Sequence, residues 1–131
     1  MRAMSFSKSV CWRSLLRADD MKELTELTEN LAEMIAGTDV LLLQFGEETC
    51  APCRAIRLKL DRWLSERPGV QARYVDSPSH MEESAQMGIF SAPAVMAFLD
   101  GQMAVRESGY FSVDNLLARL DRYLKIRAGG A

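Results

Sequence analysis

Cysteine is scarce in this chain: three among 131 residues, with Cys50 and Cys53 in one Cys-x-x-Cys and Cys11 apart from them. So few thiols, so placed, exclude the cysteine-dense scaffold of a small secreted domain and suggest a reducing compartment with one reactive pair. Histidine is scarcer still, at one residue, His80. Neither sign of charge dominates, with 16 Lys and Arg against 18 Asp and Glu. That balance removes the electrostatic footprint expected of a nucleic-acid or membrane-surface binder, so no nucleic acid and no membrane is expected as a partner. No apolar run approaches the roughly 20 residues of a transmembrane helix. There is no internal repeat and no low-complexity segment. What is present is an ordinary globular composition, 48% hydrophobic and 26% charged, in a chain of one-domain size able to bury a real core.

The first 20 residues are basic through Arg2, Lys8, Arg13 and Arg17. Between Phe6 and Leu16 the apolar positions are interrupted by Ser7, Lys8, Ser9 and Arg13, so the continuous apolar stretch of a secretory signal is lacking. Residues 1–20 therefore read as a tail, or as an extra edge strand built on Phe6, Val10 and Trp12. The folded domain is expected over 21–126, with a short tail over 127–131.

From Met21 to Ala36, Leu24, Leu27, Leu31, Met34 and Ile35 recur at helical spacing, and Gly37 follows as a stop. The row Glu23, Glu26, Glu29 and Glu33 then reads as the solvated face of that helix. Val40 to Phe45 is an apolar run expected as a strand buried on both faces. After Gly46 come Cys50 and Cys53, and then Ile56, Leu60 and Leu64 at i, i+4, i+8, so a buried strand feeds a helix whose first turn carries two thiols. Pro68-Gly69 ends that helix, and Val70 to Asp76 reads as a second strand parallel to the first, because a helix connects them. Ser77-Pro78 opens a short helix, with Ser as N-cap, that closes at Gly88. Ala94 to Leu99 and Gln102 to Glu107 are strands joined by Asp100-Gly101, a strong hairpin signal. Ser112 caps a last helix burying Val113, Leu116, Leu117, Leu120 and Leu124. The expected order is α-β-α-β-α-β-β-α.

A pair of thiols at the start of a helix has a direct chemical meaning. Unpaired N–H groups and the helix dipole favour a thiolate there, and Arg54 adds to that effect while Glu47 and Glu48 oppose it. Pro52 fixes its own φ and leaves no N–H to satisfy in the first turn. Half of a zinc site also has two cysteines at this spacing. Only Cys11 and His80 remain as further ligands, neither at knuckle distance from the pair, so no metal is expected. Cys11 reads as a free thiol without a role, and His80 as a solvated helix residue. Met34, Met87 and Met96 fall where methionine fills gaps in a core, and Trp63 is expected in or half in the core.

Element order, Cys50-Ala51-Pro52-Cys53, Ser91-Ala92-Pro93-Ala94, and Asp100-Gly101 followed by Gly109 together resemble the thioredoxin family over Met21 to Ile126. The resemblance implies an α/β thioredoxin-like fold, a central mixed sheet flanked by helices on both faces. It implies a thiol–disulfide oxidoreductase in which Cys50 is the exposed nucleophile, Cys53 the buried resolving thiol, and Pro93 a cis-proline facing them. Gln44, Ala51, Pro52 and Arg54 would tune the couple. Thr49, Val75, Ala92, Ser108, Gly109 and Tyr110 would contact a substrate. No bound cofactor is implied; the partners are a protein disulfide and an external reductase or thiol pool, in the cytoplasm.

Departures from the pattern carry expectations too. The buried aspartate of the family, six positions before the first cysteine, is Gln44 here, and its lysine partner is Ala72. The charge pair is lost together, as burial of either charge alone would be costly. Without that base, resolution by Cys53 is expected to be slower near neutral pH. The family aromatics before the first cysteine are Thr49 and Gly46, which thins the apolar rim and implies a narrower or dedicated partner. The other reading of the same residues is a non-catalytic adaptor that binds a partner through the loops around Cys50 and Pro93.

Overall fold

The structure, a computed structural model, describes residues 23–129. Five strands form one mixed sheet: β1 (Thr25–Glu26), β2 (Val40–Gly46), β3 (Gln71–Asp76), β4 (Ala94–Leu99) and β5 (Gln102–Ser108), in the order β1-β3-β2-β4-β5. Among the described residues the α-helices are α1 (Leu31–Gly37), α2 (Ala51–Leu64), α3 (Met81–Gln86) and α4 (Val113–Arg127). β1, β3 and β2 run parallel, while β4 is antiparallel to both β2 and β5. Among the described residues no helix is long and apolar enough to cross a membrane.

β2 is central and buried along its whole length, as a leucine-rich run predicts. Its alternation divides the core. Leu42 faces a cluster with Ile56, Leu60, Leu116 and Leu120 from α2 and α4. Leu41, Leu43 and Phe45 face the opposite cluster, where Leu31 of α1 meets Val75, Ile89 and Met96. Met34 and Met87 pack against that second cluster, and Trp63 is buried in the first. Asp100 and Gly101 both have positive φ (52° and 84°), the signature of the two-residue hairpin turn whose twist matches its strands. Ser112 caps α4, its hydroxyl accepting from the Asn115 N–H at 3.1 Å.

Three expectations need correction. The stretch from residue 23 to Asn30 is not helical: it carries β1, and α1 begins only at Leu31. Leu24 and Leu27 lie three apart, and extended backbone sends them to opposite faces of the sheet, one into each core cluster. Helix α2 holds this edge in place, for the Asp61 carboxylate accepts the Leu24 N–H (2.8 Å) and Arg57 donates to the Leu24 carbonyl (2.9 Å). The helix start was signalled by Asn30-x-x-Glu33, since the Asn30 side chain accepts the Glu33 N–H at 2.9 Å. The glutamate row is consequently not one helix face, and Glu26 and Glu29 instead pair with Arg57 and Arg73. Secondly, Ser77 lies inside a 3₁₀ turn over Ser77–His80, with Asp76 in the cap position. His80 there approaches Glu83 at 3.5 Å. Thirdly, Arg127 is the last residue of α4 rather than part of a tail, and it donates to both Asp100 carboxylate oxygens (2.8 and 2.7 Å). The readings of residues 1–20, including Cys11 and the edge strand on Phe6, Val10 and Trp12, lie outside the described residues.

The Arg73 guanidinium, hydrogen-bonded to Glu29, holds that carboxyl down at about 2 against an ordinary 4.5. A carboxylate lowered in the folded state stabilises the fold above its unfolded pKa, and that contribution fades as pH falls from about 4.5 towards 2. Because Glu29 is largely exposed, solvent screening limits the effect, and Glu29→Gln is expected to cost under about 1 kcal/mol at pH 7. The difference between variant and parent should shrink over this range and vanish below about pH 2, read from urea unfolding at each pH.

Candidate active site

Strand register brings the motifs together. Phe45 of β2 lies opposite Ala94 of β4, Ala94 opposite Ser108 of β5, and Gly46 opposite Asp76 of β3. The turn after β2, the loop before β4, the turn after β3 and the segment after β5 therefore emerge at one end of the sheet. This end gathers residues that are up to sixty positions apart in sequence.

Cys50 occupies the N-cap of α2 and its sulfur accepts the Cys53 N–H at 3.3 Å. Cys50 and Cys53 are joined as a disulfide, with their Cα atoms 5.3 Å apart. The two sulfurs differ in access: Cys50 is half-exposed, whereas Cys53 is 1% exposed. Thr49, Ala51 and Pro52 surround Cys50 on the surface, and Arg54 donates to the Glu48 carbonyl at 3.3 Å, tying the helix start to the turn before it.

The Ala92–Pro93 peptide bond is cis. Pro93 is buried and its carbonyl accepts the Gly109 N–H at 2.9 Å, which fastens the loop before β4 to the segment after β5. Arg106 anchors the same loop from behind, donating to the carbonyls of Met87 (2.7 Å) and Gly88 (2.9 Å). Ala92 is half-exposed, and Ser108, Gly109 and Tyr110 are exposed beside it.

Val75 departs from its expected role. Its side chain is 0% exposed and belongs to the core cluster behind β2, because strand alternation turns it inward. It cannot touch a substrate. Gln44 is also fully buried, where its amide donates to the Cys53 carbonyl at 2.8 Å. Its carbonyl oxygen has no hydrogen-bond partner. Ala72 is buried on the same sheet face, so no lysine stands at either position of the lost charge pair.

Sequence reading missed three residues of this region. Tyr74 lies directly opposite Gln44 in the β2–β3 register. A Cβ placed on Gly46 would meet the Tyr74 hydroxyl and come within 3.0 Å of the Cys53 sulfur. Glycine at 46 is thus the residue that leaves room for the Tyr74 hydroxyl beside the Cys53 sulfur. The signal was available, since glycine inside a strand marks close approach of another group. The other two are Met81 (72% exposed) and Phe90 (83% exposed), which with Pro78, Ile89 and Ala92 line an apolar surface groove beside the cis-proline loop. Exposed apolar side chains gathered in one patch, unlike single ones, mark interaction surface.

A mixed sheet between helices, with a closed Cys-x-x-Cys at a helix N-terminus and a cis-proline loop at the same end, defines a thioredoxin-fold thiol–disulfide protein. The comparisons agree. The chain is 30% identical over 95 residues to a thioredoxin of Chlamydia trachomatis, covering 72% of this chain and 92% of that one. It is 28% identical over 92 residues to thioredoxin C-2 of Corynebacterium nephridii, covering 70% and 85%. It superposes on the crystal structure of thioredoxin from Trypanosoma brucei brucei with a TM-score of 0.71 at 20% identity, covering 84% and 97%. No family model matches. This chain belongs to the thioredoxin family and is a thiol–disulfide oxidoreductase.

Proposed function

We propose that the protein reduces or exchanges disulfides of a partner protein, with Cys50 as attacking thiol and Cys53 as resolving thiol. The difference in access between the two sulfurs carries this reading: a bulky partner can reach Cys50 and cannot reach Cys53. The Cys50 thiolate attacks the partner disulfide, forming a mixed disulfide and releasing one partner thiolate. Cys53, as thiolate, then attacks the Cys50 sulfur, the second partner thiolate leaves, and the Cys50–Cys53 disulfide remains. Each departing thiolate takes up a proton from solvent. An external reductase or thiol pool restores the dithiol, which fits a cytoplasmic setting.

In this reading the partner lies across Ala92, Ser108, Gly109 and Tyr110, with the groove at Met81 and Phe90 taking an apolar side chain of the partner. The exposed apolar surface compensates for the thinned rim at Thr49 and favours a narrower set of partners. Unit 21–126, extended by Arg127, is proposed to be sufficient for the activity.

Insulin reduction driven by dithiothreitol tests the reading. The parent is expected to accelerate precipitation of the insulin B chain and Cys50→Ser to match the uncatalysed rate. Equal acceleration by both proteins would favour the adaptor reading, in which the loops bind and the thiols are incidental.

A further inference from the structure

Position 44 lacks an acid or base, yet Cys53 must lose a proton to complete the cycle proposed above. We propose that the Tyr74 hydroxyl is the hydrogen-bond donor that stabilises the Cys53 thiolate in the reduced protein and in the mixed disulfide. This inference rests on Cys53 being the resolving thiol.

Tyr74 is placed for this role. Its hydroxyl and the Cys53 sulfur flank the same small space, the one that the missing Cβ of Gly46 leaves open. The ring is held in place, for it is buried against the α2 side of the core and Arg57 lies over it, 4.6 Å from its centroid. Among the described residues the hydroxyl makes no hydrogen bond, so it is free to turn towards a sulfur that gains charge. A disulfide sulfur is a weak acceptor, and a thiolate is a strong one.

Apart from the N-terminus of α2, the surroundings offer little else to stabilise an anion. Cys53 and Tyr74 border a surface hollow whose charged walls are Arg54 and Arg57 from α2, Glu26 from β1, Glu47 and Glu48 from the turn, and Asp76 from β3. Two guanidiniums stand against four carboxylates, so the side-chain charges of the hollow work against the thiolate that the N-terminus of α2 favours. Gln44 brings no positive charge, for its amide donates to the Cys53 carbonyl and its carbonyl oxygen has no hydrogen-bond partner. Burial pushes the Tyr74 hydroxyl above its ordinary 10, so it stays protonated and remains a donor through neutral pH. Tyr74 keeps its own proton throughout: the Cys53 proton leaves by the hollow to solvent, the new bond forms to the Cys50 sulfur, and the partner thiolate is the leaving group.

Tyr74→Phe keeps the ring and removes only the donor. In a Cys50→Ser background, with cysteine labelled at ¹³Cβ, the Cys53 titration is followed by NMR from pH 5 to 11. Loss of a hydrogen bond to a charged group is expected to raise the Cys53 midpoint by about one pH unit or more, equivalent to a tenfold or greater loss of thiolate at pH 7. In the intact protein, stopped-flow resolution of the mixed disulfide at pH 7 should slow by a similar factor, while the first attack by Cys50 stays within about twofold. Gly46→Ala, which displaces the hydroxyl without removing it, should shift the midpoint in the same direction. A Tyr74→Phe midpoint within 0.3 unit of the parent, with fold intact by circular dichroism, would overturn the inference and leave the Cys50/Cys53 cycle standing. Full insulin reduction by Cys50→Ser would overturn that cycle instead, and the Cys53 titration would still report on Tyr74, because it does not depend on turnover.

Discussion

Cys50→Ser and Cys53→Ser are expected to fail in different ways. Without Cys50 the exposed sulfur is gone and the remaining one is 1% exposed, so no mixed disulfide forms. Without Cys53 the first attack proceeds and the product has no internal exit. Cys50 should remain covalently bound to the partner, because only an outside thiol can then attack that bond. In a Cys11→Ser background, which removes the third thiol, mass spectrometry after mixing with a disulfide substrate should show one substrate thiol added per Cys53→Ser molecule and none per Cys50→Ser molecule. Multiple turnover should vanish in both. If Cys50→Ser formed the adduct instead, the roles of the two sulfurs would be reversed and the difference in burial would have misled.

Gln44→Asp is expected to trade stability for speed. The side chain at 44 is fully buried, its sheet neighbours on that face are Leu42, Ala72 and Tyr74, and no cation occupies the position of the lost lysine. A carboxylate there is uncompensated, and the destabilisation at pH 8 should be roughly 3 kcal/mol, or a drop of about 10 °C in melting temperature. Burial raises the carboxyl pKa in the folded state above its unfolded value near 3.9. A group raised in this way favours folding when protonated, so the penalty is small at pH 4 and grows as pH rises through the folded-state value. Thermal melts of parent and variant from pH 4 to 8 check the sign, and Gln44→Asp/Ala72→Lys should regain part of the loss at pH 8. In the same variant the new carboxylate can accept the Cys53 proton, and resolution of the mixed disulfide should become faster near neutral pH. A stability difference that does not change with pH would mean that the carboxyl is hydrated and that position 44 is less dry than it stands in the fold.

The two effects share one cause. A neutral amide at 44 keeps the core beneath α2 free of a lone charge and fastens β2 to the first turn of α2 through the Cys53 carbonyl. No proton-accepting carboxylate stands there; in the inference above, a hydroxyl arriving from β3 through the gap at Gly46 stabilises the Cys53 thiolate instead, and the Cys53 proton goes to solvent.

Much of the architecture was written in local pattern. The β2 run, the Asp100-Gly101 turn, the Ser112 cap and the leucine spacing of α2 and α4 each satisfy their own backbone or bury their own stripe, so neighbours in sequence suffice to read them. The paired cysteines and the Pro93 loop were legible for the same reason, as motifs complete within a few residues. Where reading failed, long-range partners had the deciding vote. Leu24 and Leu27 have helical spacing, but side chains of α2, some thirty residues on, claim the backbone of Leu24 and leave the segment as an edge strand. The resemblance puts Val75 among the substrate contacts, and the pleat turns it into the core. Gly46 signalled that some group approaches β2 closely but not that Tyr74 is that group, since the contact exists only when β3 pairs with β2 in a register that sets Tyr74 against Gln44. The sequence alone determined which residues are reactive and which segments are regular, because those depend on side-chain chemistry and local hydrogen bonding. The tertiary structure decided which sulfur a partner can reach and which hydroxyl stands by the other, because access and proximity are properties of packing between strands far apart along the chain.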